Sequence, residues 1–291
     1  MYRTVSAAAT GPRLSVQTTV LSRRCTVLIA MTALTGTTLS DVGIDGVALK
    51  PTEVAIERAR DLGVDTLTVD YEGRESVPDE ATLRALAKAF EVRVTVPVRA
   101  DGFDPHGEHE ARRSLPSAVG EVLVAGNPAY LDEHEQRRAV APRLSAAAEE
   151  ASNPWIGTEG IERLALAVGY TQYELLGPGT ANAVRALREA GVSESIAVYA
   201  PVVLSTEEGT ILDAVGEYAG RRRRVRQRLP DGTPHDSNAT EQPREALLEG
   251  CRAFALIGSS EAIRERIDEL KTAGVDQIVG YPARGLDPIL D

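Results

Sequence analysis

From residue 42 onward, short β-rich apolar runs alternate with amphipathic stretches in which apolar residues recur every three or four positions. The runs at 43–49, 64–71, 92–99, 121–125, 154–157, 172–176, 195–200 and 277–281 read as strands. The stretches at 51–62, 78–89, 134–151, 159–168, 180–190, 207–222, 242–251 and 260–273 read as helices, with Pro51 suited to a first helical position. Three helix-to-strand joints, at 59–65, 187–192 and 270–276, are near copies of one another. Each puts a glycine (Gly63, Gly191, Gly274) where a helix can end on a left-handed residue. Repeated strand–helix units predict a parallel α/β architecture, and about 250 residues is the usual size of a closed (β/α)8 barrel of the TIM type. An open doubly wound sheet is the alternative, but no Gly-x-Gly-x-x-Gly fingerprint follows the first strand to support it.

Successive strand side chains point to opposite faces. With the Val/Leu rows turned toward the helices, the inward rows are Gly46, Ala48 and Lys50; Thr66, Thr68 and Asp70; Arg93, Thr95, Pro97 and Arg99; and Leu123, Ala125 and Asn127. Lys50, Asp70, Arg99 and Asn127 then stand at the C-terminal ends of four consecutive strands, the rim where barrel enzymes carry their chemistry. Charges gathered there need partners, so an interacting Lys50–Asp70–Arg99 set is expected, as a substrate-lining site or as a structural ion-pair network. On the first of these, Arg99→Ala weakens anion binding without unfolding the barrel. Tyr199 and Tyr281 reach the same rim by parity, as wall residues or as ligand contacts.

Two loops join a strand to a helix through small residues: Gly157-Thr158-Glu159-Gly160 and Gly177-Pro178-Gly179-Thr180. Open amides at a helix N-terminus favour a phosphate, and the same spacing also serves a tight turn with no ligand.

Composition narrows the classes. The 291 residues carry 43 Asp and Glu against 32 Lys and Arg, a formal net charge of −11, and only Lys50, Lys88 and Lys271 are lysines. Arginine over lysine with excess carboxylate points to a salt-adapted, halophilic source. A 43% hydrophobic content excludes a disordered chain, and two cysteines, Cys25 and Cys251, exclude a disulfide scaffold. No apolar run reaches the roughly 20 residues that span a bilayer, and the acidic balance argues against a nucleic-acid partner. The run Arg221–Arg224 with Arg226 and Arg228 opposes the overall sign. It reads as a solvated helix end, or as a contact for a phosphate-bearing tail, an RNA or an acidic partner. A flexible loop is expected over 225–243. Asp104, His106, Glu108, His109 and Glu110 are metal-ligand types, but the glycine and proline among them favour a hydrated acidic loop, and no metal is expected.

Residues 1–40 lack the barrel pattern. Ser22-Arg23-Arg24-Cys25-Thr26-Val27-Leu28 resembles a twin-arginine export signal. A disordered tail, or a true start at Met31, accounts for the same stretch. The expected organisation is therefore this extension followed by one barrel domain over 41–291, with a cytoplasmic location and export as the minor alternative.

Phe254-Ala255-Leu256-Ile257-Gly258-Ser259-Ser260-Glu261, continuing through 262–279, resembles the C-terminal stretch of the bacterial luciferase-like superfamily, nearest its deazaflavin-dependent branch of methylenetetrahydromethanopterin reductases. Pro154-Trp155-Ile156-Gly157-Thr158-Glu159-Gly160 is similar to the strand–glycine loop–helix of that superfamily, and Gly285-Leu286-Asp287-Pro288 to its ending. The resemblance implies a barrel that binds a flavin (FMN) or a deazaflavin (coenzyme F420) and moves a hydride to or from a small substrate, the oxidoreductase chemistry of a superfamily that includes monooxygenases. It places Gly157, Thr158, Gly160, Gly177, Gly179 and Thr180 near the cofactor; the strand rows, read beside it, add Asn127 to the cofactor side and let Lys50, Asp70 and Arg99 line the pocket where the reaction occurs. The covering segment that relatives insert between the fourth and fifth strands is reduced here to 128–153, a shortened lid. Two further readings stand beside the redox one: a degenerate barrel that binds or regulates without turnover, and a phosphosugar lyase or isomerase in which Lys50 acts as Schiff-base or general base. The expected partner is a small-molecule substrate, with a homodimer as a further option and no membrane.

Overall fold

The computed structural model describes residues 39–290, so the twin-arginine and Met31 readings lie outside the described residues. Among the described residues nine strands form: β1 (Gly46–Leu49), β2 (Thr66–Val69), β3 (Glu91–Pro97), β4 (Gly120–Val124), β5 (Trp155–Gly157), β6 (Thr171–Leu175), β7 (Ile196–Val203), β8 (Leu256–Ile257) and β9 (Gln277–Pro282). β1 through β7 pair in chain order, all parallel, and β9 pairs with both β7 and β1. Eight strands therefore close into a ring, the (β/α)8 barrel that the alternation predicts. β8 stands outside the ring, paired only with the last two residues of β7 through Val202↔Leu256 and Val203↔Ile257.

Two apolar layers hold the ring. Val47, Leu49, Leu67, Val69, Val92 and Val94 point outward onto Leu83, Leu86, Ile263, Ile267 and Leu270 of the surrounding helices. Ala48, Val122, Trp155, Tyr173, Ala197, Tyr199 and Val279 fill the inside. Each large side chain so buried contributes about 1.5–3 kcal/mol. The inward rows are as expected on β1, β2 and β3 and reversed on β4. There Leu123 packs outward beside Ile156, and Val122 faces inward beside Trp155 and Tyr173. The one charged side chain of β4, Glu121, shares the outward row with Leu123, where Arg112 pairs with it, so the rule that turns polar rows inward selects the wrong face.

Several helices differ from expectation. Residues 51–62 form turns and a 3-10 segment, Ile56–Asp61. The single helix expected over 134–151 is two, Glu133–Gln136 and Val140–Glu150. Pro142, with no amide hydrogen to donate, is accommodated only in a first turn, so the helix restarts at Val140. The three joint glycines all have positive φ, and at Gly274 a β-carbon would also meet Arg188 at 2.7 Å.

The helices Thr180–Glu189 and Ser260–Ala273 are neighbours in the outer ring. The chain between β7 and β8, residues 204–255, therefore does not occupy a place in that ring. It leaves and re-enters at the C-terminal end of β7 as a helical excursion. Glu208–Gly220, Arg223–Arg226 and Glu241–Phe254 pack on one another through Leu212, Val215, Ala219, Val225, Leu247 and Cys251. The segment expected to be a flexible loop, 225–243, instead lies along the first of these helices. The carbonyl of His235 comes so close to Gly216 that a β-carbon there would stand 2.0 Å away, and its ring would be 2.6 Å from one at Gly220. Ser237 N donates to Asp213 at 2.9 Å, and Ala239 is buried. The mouth is thus flanked by 204–255, whereas 128–153 is as short as the sequence implies. Among the described residues, no helix is long and apolar enough to cross a membrane.

Candidate functional site

Two of the four rim residues meet. Lys50 follows β1 and Asp70 follows β2, and both stand over the inner layer at the C-terminal end of the ring. Lys50 Nζ donates to Glu53 at 2.8 Å and to the Tyr281 hydroxyl at 3.2 Å, lying 4.4 Å from the centre of that ring. The Tyr281 hydroxyl in turn donates to Glu53 through a short hydrogen bond. Burial works against the ammonium, but the hydrogen bonds and charges of Glu53 and Tyr281 outweigh it and hold Lys50 above its ordinary value. An amine held protonated in this way lacks the free lone pair that a Schiff-base role requires.

Asp70 lies on the floor of the mouth and receives the Tyr199 hydroxyl at 3.5 Å. Burial pushes its carboxyl up; Lys50 pulls it down, Glu72 pushes it up again, and the hydrogen bond from Tyr199 lowers it, leaving it at about 7. Below it the inner layer is a run of rings. Trp155 and Tyr173 stand 5.5 Å apart, Tyr173 and Tyr199 6.0 Å, and Tyr199 stacks on Tyr281 at 6.3 Å with 10° between planes. The Tyr173 hydroxyl meets Thr68 at 3.4 Å, and the Arg93 guanidinium lies 4.3 Å from the Trp155 ring toward the other end of the barrel. Burial raises the phenols of Tyr173 and Tyr199 well above their ordinary value, and the Asp70 charge adds to it, so both remain hydrogen-bond donors.

Arg99 and Asn127 do not join this group. β3 ends at Pro97 and the chain turns, so Arg99 donates to the carbonyls of Ala125 at 2.6 Å, Gly126 at 3.1 Å and Gln136 at 2.8 Å. It fastens the chain that follows β4. Asn127 accepts from Ala129 N at 2.9 Å and caps the turn Pro128–Tyr130. The expected Lys50–Asp70–Arg99 set is therefore reduced to Lys50 and Asp70, which feel each other's charge without an ion pair and are held by Glu53, Tyr281 and Tyr199, with Glu72 nearby.

The two glycine loops differ. In the first, a β-carbon at Gly157 would stand 2.6 Å from Val124, so glycine is required there by packing. The Thr158 hydroxyl donates to Glu174 at 2.6 Å, and Gly160 N to Glu162 at 3.2 Å. Carboxylates already occupy the place an anion would take. In the second, the Thr180 hydroxyl accepts from Gly177 N at 2.9 Å. No side chain caps the helix Thr180–Glu189 that begins after Gly179, and a β-carbon at Gly179 would meet nothing within 4 Å. Open amides and free space fit an anionic tail at this second loop and not at the first.

Three mouth residues, Glu53, Glu72 and Tyr218, escape sequence reasoning, and a fourth, Arg222, is read there only as part of the arginine run. Glu53 could have been found as the i+3 partner of Lys50. Glu72 accepts from Thr52 N at 3.1 Å. Tyr218 and Arg222 come from the 204–255 excursion. Arg222 pairs with Glu159 at 2.8 Å and lies over the rings of Tyr218 and Phe254, at 4.3 and 5.6 Å, so one member of the arginine run is drawn to the mouth. In the acidic loop, Asp104 is taken up by Arg143 at 2.9 Å and Arg138 at 3.3 Å. Cavities of about 350 Å³ beside Arg74, Pro78 and Leu115, and of about 410 Å³ beside Arg226, Pro230 and His235, share no residue with the mouth.

The family model of DUF7388, a family of unknown function, matches residues 39–289. No curated protein matches the chain. Among solved structures, an F420-dependent secondary alcohol dehydrogenase in complex with an F420–acetone adduct superposes with a TM-score of 0.53 at 13% identity, covering 82% of this chain and 94% of that one. The coenzyme F420-dependent tetrahydromethanopterin reductase from Methanopyrus kandleri gives 0.53 at 14% identity, covering 85% and 97%. At such identity the likeness is one of fold.

Proposed function

The chain belongs to the DUF7388 family, and we propose that it is an oxidoreductase whose barrel mouth binds a small oxygen-bearing molecule over Asp70. The observation that carries this reading is a carboxyl at about 7 on the floor of the mouth, between Lys50 and the Tyr199 hydroxyl. Such a group is near half-protonated at neutral pH and can give or take the proton of a carbonyl or hydroxyl oxygen.

A flavin or deazaflavin, when bound, would supply or accept the hydride. Gly179 and the first turn of the helix behind it would hold its anionic tail, with Gly177 and Thr180 bonded to each other and shaping the loop. Tyr199 orients Asp70, and Lys50, fixed by Glu53 and Tyr281, sets a permanent positive charge beside it. The packed rings of Trp155 and Tyr173 keep water from reaching the mouth from below. The likeness of fold to F420-dependent enzymes supports the choice of cofactor class. The carboxylates at the first glycine loop favour a second reading, a barrel that binds a small molecule without turnover.

Titration with coenzyme F420 and with FMN, followed by absorbance and fluorescence, tests the proposal. One of them is expected to bind, and Gly179→Asp to abolish the binding without lowering the melting temperature. No spectral change with either cofactor would leave only the second reading.

A further inference from the structure

One hydroxyl in the mouth gives its proton to no acceptor. The Tyr218 hydroxyl is buried and has no well-formed hydrogen bond, the Arg222 guanidinium beside it being a donor and not an acceptor. Arg222 lies over the face of its ring, 4.3 Å from the centre, and is committed to Glu159. A hydroxyl left this way has given up water without replacing it, so a buried orphan calls for an occupant. Tyr218 belongs to the helix Glu208–Gly220 of the excursion, yet it lies within electrostatic reach of Asp70, Tyr173 and Tyr199, and of Glu159 and Arg222. Three phenols, one carboxyl and Thr68 thus gather at one place from β2, β6, β7 and the excursion.

The cations of this place are already taken. Lys50 is paired with Glu53, and Arg222 with Glu159, while Asp70 and Glu72 add carboxyls with no ion-pair partner among the described residues. Neither cation is left over for a carboxylate or phosphate on the substrate, whereas the Tyr218 hydroxyl still has its proton to donate.

We infer that Tyr218 is a specificity-determining residue that hydrogen-bonds an oxygen of the substrate, and that the substrate is a small uncharged carbonyl or hydroxyl compound. This rests on the reading of the mouth as the substrate site. The excursion then does more than flank the mouth, because it contributes a group that touches what binds there.

The experiment uses the full chain and dihydroxyacetone as an uncharged probe, with glycolate as its charged counterpart, observed by saturation-transfer NMR and titration calorimetry. The wild type is expected to bind dihydroxyacetone in preference to glycolate. Tyr218→Phe should weaken that binding about tenfold while its melting temperature stays level or rises, since the substitution removes an unpaired buried hydroxyl. A purely structural hydroxyl would lower the melting temperature on removal and leave the affinity alone. If Asp70→Asn loses the probe and Tyr218→Phe binds like wild type, the inference fails and the site reading stands. Preference for glycolate overturns the uncharged class. Failure of the wild type to bind either probe overturns both.

Discussion

The Tyr199 hydroxyl reaches the Asp70 carboxylate at 3.5 Å across the inside of the barrel, from β7 to the end of β2. The contact places a proton-exchanging group among side chains that hold it without neutralising it.

This sets a pH dependence. The folded-state value of Asp70, about 7, lies above its ordinary 3.8, so the folded chain binds that proton more tightly than the unfolded one. The stability it contributes is complete below about pH 4 and is lost as pH rises through about 7, each unit of difference being worth about 1.4 kcal/mol. Asp70→Asn stays neutral throughout. Urea unfolding from about pH 4 to about pH 8 should show the wild type losing stability relative to that variant, and parallel curves would remove Asp70 from its assigned place.

Gly157 is required by Val124. Gly157→Ala should lower the unfolding free energy by about 1–3 kcal/mol through overpacking. Adding Val124→Ala should recover part of the loss. A glycine kept for an approaching phosphate would show no such rescue, and calorimetric melting of the single and double variants separates the two.

Arg99→Ala has a different expected outcome from the one its sequence position implies. The side chain serves three backbone carbonyls in 125–136, so its removal should speed amide hydrogen exchange there. Ligand affinity at the mouth should not change. Weakened binding with unaltered exchange would restore Arg99 to the rim.

Arg112 anchors the outer layer. Its buried guanidinium meets Glu121 at 2.7 Å, Glu150 at 2.8 Å and the Ala147 carbonyl at 2.7 Å. Burial pushes the Glu121 carboxyl up, with Arg112 opposing it. Arg112→Met leaves that carboxylate alone and should cost about 3 kcal/mol near neutral pH, less in acid where Glu121 takes a proton. A guanidinium-chloride midpoint that does not move would contradict the pairing.

How much of this was legible depends on contrast between rows. On β2, Thr66 and Thr68 alternate with Leu67 and Val69, so the inward face and Asp70 at its end could be read directly. On β4 the charged Glu121 lies on the outward row, held by Arg112, and Asn127 was carried to the wrong side with that row. Arg99 went astray because alternation holds only while the strand lasts, and β3 stops two residues earlier. The joint glycines were visible because their neighbours repeat. Tyr218 was not, since its proximity to Asp70 is created by closure of the ring and by an excursion whose helices carry the same periodicity as those outside the barrel. β8, two residues long, falls below any periodic signal.

The pairing of Leu256 and Ile257 with Val202 and Val203 brings the two ends of 204–255 onto adjacent positions of neighbouring strands, about 4.8 Å apart. A segment whose entry and exit lie side by side can be lengthened, trimmed or exchanged while the ring keeps its own hydrogen bonds. Divergence in what this scaffold recognises can therefore accumulate in one detachable cassette, with the staves of the barrel inherited unchanged.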